Sequence, residues 1–126
     1  MALSREFAAY LQELFDVMPG VSVRRMFGGA GMFREGVMFA LSLDDGRIAL
    51  KADEETIPQF LTEGSTQWEY PGRSGKKMSM GYWYAPERLF DDPDELRTWA
   101  QDAFKAALRA DARKPPSQRK HRLGGD

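Results

Sequence analysis

The sequence contains no cysteine, which excludes disulfides, thiolate metal sites and cysteine nucleophiles. It has one histidine, His121, set among Arg119, Lys120 and Arg122. General-base work needs a histidine held against substrate and oriented by a partner. A polar terminal stretch supplies neither, so a Ser–His–Asp mechanism is not expected. No run of about 18 apolar residues occurs, so no membrane-spanning helix is expected. The opening residues Met1 to Phe7 lack the apolar core of a signal peptide. These absences together predict a cytosolic protein with no membrane contact.

Charge of one sign is also lacking overall, since the net charge is −1. Its distribution is uneven. Residues 109–126 hold six basic and two acidic side chains, 6 − 2 = +4, which leaves 12 − 17 = −5 for residues 1–108. An acidic body followed by a basic tail is the asymmetry to explain. The 126 residues, 42% hydrophobic and 29% charged, suffice for one globular domain. We place that domain at residues 1–112 and expect 113–126 to be a disordered basic tail. Lys114-Pro115-Pro116-Ser117-Gln118-Arg119-Lys120 offers no large apolar side chain to bury.

Phe7, Leu11, Leu14, Phe15 and Met18 recur at helical spacing behind Ser4, a suitable N-cap, and Pro19-Gly20 stops the helix. Strands are expected at Val21–Phe27, Ala30–Arg34, Val37–Leu43 and Arg47–Lys51, with Glu35-Gly36 and Asp44-Asp45-Gly46 as turns. The nearly continuous apolar run from Val37 marks a central strand covered on both faces. A short helix follows near Thr56, with Asp53-Glu54-Glu55 in its first turn and Pro58 tolerated there. Two strands, Thr66–Tyr70 and Met78–Tyr84, precede a last helix capped by Asp92-Pro93 and Glu95. The order α-β(4)-α-β(2)-α predicts an α+β domain: a curved, largely antiparallel sheet with flanking helices.

Arg24-Arg25-Met26-Phe27-Gly28-Gly29-Ala30-Gly31-Met32-Phe33 is the most distinctive stretch. Its glycines suggest a phosphate cradle, which requires a strand before it and a helix after it. Here strand passes to strand. The dinucleotide pattern started at Gly29 meets Arg34 where its third glycine belongs, and a P-loop pattern started at Gly31 meets Val37-Met38 after Gly36. Structural glycine at a tight passage is the better reading.

The acidic runs are explained by turns and helix starts and do not match a calcium loop. No metal and no cofactor is expected. Met26, Met32, Met38, Met78 and Met80 lie among aromatic residues in predicted strands, which reads as core, with an adaptable binding face as the alternative. Arg24, Arg25, Lys76, Lys77, Arg119, Lys120 and Arg122 form the candidate interaction set. They are too dispersed for a basic face in the body, so contact with DNA would be weak and made through the tail.

Arg24 to Gly31, Gly36-Val37-Met38-Phe39-Ala40-Leu41, Leu50-Lys51-Ala52-Asp53, Met80-Gly81-Tyr82-Trp83 and Trp99-Ala100 together resemble the TfoX N-terminal domain family, also called Sxy-type competence regulators. The resemblance covers about residues 5–108. It implies a fold similar to type III secretion chaperones and a regulatory module without known catalytic residues, linked in some bacteria to activation of DNA-uptake genes. Longer members carry a second C-terminal domain where this chain ends in a short basic tail, so a stand-alone binding module is the expectation.

The function expected is therefore a non-enzymatic interaction domain contributing to transcriptional regulation, with a protein partner and room for a homodimer. Two alternatives stand beside it. One is a nucleic-acid-associated protein using the basic tail. The other is an enzyme using backbone amides of the glycine segment and a carboxylate.

Overall fold

The computed structural model describes residues 4–26, 28–42, 46–71, 77–78 and 80–121. Helix α1 (Arg5–Phe15) starts where Ser4 Oγ accepts the Phe7 N–H at 3.0 Å. Four strands follow: β1 (Val21–Met26), β2 (Gly29–Arg34), β3 (Val37–Ser42) and β4 (Ile48–Lys51). Next come α2 (Ile57–Thr62), β5 (Tyr70–Pro71), β6 (Lys77–Met78), β7 (Tyr82–Tyr84) and α3 (Pro93–Ala112). The main sheet is antiparallel in the order β1-β2-β3-β4-β7, so the apolar strand β3 is central. This is an α+β domain with an open sheet and helices around it.

Turn chemistry sets the hairpins. Arg34 pairs with Val37, leaving Glu35 at φ 52° and Gly36 at φ 83°. Both central residues have positive φ, the requirement of a turn whose twist matches the strands. Met26 pairs with Gly29, and Gly28 at φ 78° carries the preceding turn. The glycine segment thus continues into β2, with no helix after it.

One bulge organises both faces of the sheet. Met32 pairs with Ala40 but Phe33 pairs with Met38, so Phe39 is an extra residue in β3. The extra residue reverses the in–out alternation. Phe39 and Ala40 both join the helix-side core with Leu11, Phe15, Leu50, Leu96 and Phe104. Met38 and Leu41 both pack on the opposite face, with Ala49, Trp68 and Tyr82. Edge-to-face rings knit the helix side: Phe15 on Phe39, Phe39 on Phe104, and Phe60 on Trp99.

The region after α2 departs from expectation. Thr66–Tyr70 is not a strand of the main sheet; it contributes one bridge, Gln67 to Trp83, and the two-residue β5, which pairs with β6. Met78–Tyr84 is not one strand either, because Gly81 at φ 80° breaks it before β7. Positive φ ends a ladder that alternating sequence alone would continue. Helix α1 also ends three residues before Met18, while Phe27, Leu43, Asp44 and Asp45 lie outside the described residues.

Candidate functional site

The face opposite the helices carries Arg24 and Met26 from β1, Gly31 and Phe33 from β2, Met38 from β3 and Lys51 from β4. Of these, all but Gly31 line a groove of about 460 Å³, together with Met80, Tyr82 and the end of α3. Gly31 lies buried beneath the floor side chains. A Cβ there would meet Met26 Sδ at 2.6 Å, Met38 Sδ at 2.7 Å and Phe33 Cε1 at 2.9 Å. The glycine is needed for close approach and not for its dihedral freedom. The strand methionines are therefore divided: Met32 is fully buried in the helix-side core, while Met26, Met38 and the exposed Met80 line the groove. Met78 has no described side chain.

Four cations line this floor: Arg24, Lys51, Lys114 and Lys120. Arg24 stacks its guanidinium 4.7 Å from the Phe33 ring centroid. The Lys51 ammonium donates to the Met80 carbonyl oxygen and lies 5.1 Å from the Tyr82 ring centroid. Burial and the Lys114 charge together hold Lys51 below the ordinary lysine range, against the opposing pull of Asp53. Tyr82 is buried, which pushes its phenol above the usual range, and its hydroxyl donates to the Met38 carbonyl at 3.3 Å.

Asp111 is the one carboxylate among the described residues that line the groove. It accepts the backbone N–H of Lys120 at 2.7 Å and of His121 at 3.0 Å. Burial pushes this carboxyl up, but those two hydrogen bonds and the Lys114 charge outweigh it and leave it below the usual carboxylate range. Arg119 donates to the Ala112 and Lys114 carbonyls, capping the end of α3. Residues 113–121 are thus held against the body by specific contacts, where composition predicts a detached tail. Buried Asp111 supplies the anchor that composition does not reveal.

Of the seven expected interaction residues, the structure brings Arg24 and Lys120 to the groove. Arg25 is exposed and does not line it, and Arg119 serves the helix end. Lys77 lies in β6 without a described side chain, while Lys76 and Arg122 lie outside the described residues. Sequence reasoning missed Lys51 and Lys114. Lys51 closes the quoted Leu50-Lys51 pair on a half-exposed strand, where alternation points it to the same face as Ala49; that signal was available.

The acidic runs have structural partners. Asp53 lies before α2 and not in its first turn; Arg109 of α3 grips its carboxylate at 2.6 and 3.0 Å. The Arg109 hydrogen bonds hold Asp53 below the usual carboxylate range. Asp92 Oδ1 caps α3 by accepting the Glu95 N–H at 3.2 Å. Among the described residues no group of three His, Asp or Glu side chains is arranged to hold a metal, and no helix is long and apolar enough to cross a membrane. A second hollow of about 330 Å³ between α1 and the 3-10 helix Glu87–Asp91 is apolar, with Glu13 its one charged side chain among the described residues.

The pieces that form the groove floor, from Arg24 through Met38 to Lys51, lie within one continuous family match spanning residues 13–107, that of the TfoX N-terminal domain. The chain belongs to the TfoX N-terminal domain family. The family is associated with competence regulation and is not known as catalytic. No curated protein matches the chain. The TfoX N-terminal match ends before Asp111, Lys114 and Lys120, so one wall of the groove is built from residues outside it.

Proposed function

We propose that this protein is a non-enzymatic regulatory domain that works by docking a protein partner in the groove between the sheet face that carries Met38 and the end of α3. In this reading it contributes to transcriptional control of competence-type genes. The observation that carries it is the convergence of Arg24, Lys51, Lys114 and Lys120 on a floor of Met26, Phe33, Met38 and Met80. Methionine floors repack around varied apolar side chains, and ringing cations add orientation and selectivity. The expected likeness to secretion chaperones belongs to the same reading, since it too describes a domain that holds a partner.

A reporter for DNA-uptake genes in the native host tests this. Deleting the gene should lower expression, and the wild-type chain should restore it. The groove variants Lys51→Glu and Lys114→Glu should not restore it, while Arg25→Glu, away from the groove, should. An unaffected reporter in the deletion strain would remove the regulatory role.

A further inference from the structure

We infer that the occupant of the groove is an acidic segment of a protein partner that carries an apolar anchor. The inference rests on the groove being the partner site. Among the described residues that line it, four cations face one carboxylate, 4 − 1 = +3. That carboxylate accepts two backbone N–H groups and lies 3.8 Å from Lys114 Nζ, so its charge is shared with Lys114 and the excess stays positive. Lys51 is the most informative of the four. Its ammonium has three donors, one of which goes to the Met80 carbonyl, and it sits part-buried beside the like charge of Lys114. An incoming carboxylate offsets both the burial and the repulsion.

The floor adds the second half of the recognition. A purely anionic ligand leaves Met26, Phe33 and Met38 unused, whereas a leucine or phenylalanine flanked by acids covers them. About 460 Å³ is the size of a site for a small group of side chains. Nucleic acid fits less well. It is recognised by an extended basic stripe, and here the cations ring a bounded hollow around an apolar floor.

Fluorescence anisotropy on the full chain tests this with three separate probes. They are a short labelled peptide of aspartate and glutamate around one leucine and one phenylalanine, its asparagine and glutamine counterpart, and duplex DNA. The acidic peptide should bind, with the amide counterpart about tenfold weaker or worse. Lys51→Gln with Lys114→Gln should weaken the acidic peptide about tenfold at an unchanged melting temperature. Should that pair unfold the chain, Arg24→Gln and Lys120→Gln read the same effect from the surface. No binding of the acidic peptide, equal binding of the amide peptide, or DNA binding lost in the same variants would overturn the inference. The two readings fail differently. Groove variants that silence the reporter while the acidic peptide does not bind remove only the acidic occupant; variants with a normal reporter remove the groove itself as the partner site.

Discussion

His121 Nε2 lies 2.6 Å from Oε1 of Glu35, joining the end of the described chain to the β2–β3 turn across 86 residues of sequence. Glu35 is the one non-glycine residue with positive φ among the described residues. The turn therefore presents a carboxylate at a position where asparagine or glycine would be easier for the backbone. The contact closes a strap that begins where Asp111 takes the Lys120 and His121 backbone N–H groups.

The strap yields the first prediction. A chain ending at Arg113 keeps 14 basic and 18 acidic residues, 14 − 18 = −4. It loses both hydrogen bonds to the buried Asp111 and the Arg119 cap. Stability should fall by about 1–3 kcal/mol, the scale of hydrogen bonds to a charged group, and the melting temperature by several degrees. An unchanged midpoint would show the strap to be energetically silent.

Acid stability is the second prediction. The folded carboxyls of Asp53 and Asp111 both lie below their ordinary value. A depressed folded pKa stabilises above the unfolded value of about 3.9, and that stabilisation is lost as pH falls through the lower folded value. Urea midpoints should hold steady above about pH 5 and drop steeply beneath it. Asp111→Asn should be less stable than the parent at neutral pH and lose less on acidification. Parallel curves for the two chains would contradict this.

Gly31 separates groove shape from fold. Gly31→Ala pushes its Cβ into Met26 Sδ, Met38 Sδ and Phe33, all of them side-chain atoms. Flexible methionines can move, so the cost should be modest, about 1 kcal/mol at the low end of overpacking. The groove floor should change shape, and binding of the acidic peptide should change more than thermal stability does. A collapse of the fold would show that the sulfurs cannot yield.

Trp99 anchors the opposite face. It is buried, with Phe60 edge-on at a ring-centroid separation of 5.0 Å. Trp99→Ala should cost about 3–5 kcal/mol, a large share of the ~5–15 kcal/mol typical of a domain. Chemical denaturation measures it directly. A loss under about 1 kcal/mol would mean that α3 tolerates separation from α2.

Local rules made the helices and hairpins legible in the sequence. Ser4 and Asp92 cap because their side-chain oxygens accept nearby backbone N–H groups, Glu35-Gly36 turns because both residues take positive φ, and the apolar run from Val37 lies at the sheet centre because both its faces are covered. Leu96, Trp99, Ala100, Ala103, Phe104 and Ala107 of α3 recur at helical spacing and are all buried. Tertiary structure decided the rest, because the deciding contacts join residues distant in sequence. The bulge at Phe39 put Met38 on the groove face, a reversal of parity that no local pattern encodes. Arg109 claimed Asp53 from 56 residues away. The groove itself needs β1, β2, β3, β4, α3 and the strap in one place, so its charges become a site only when the chain is folded.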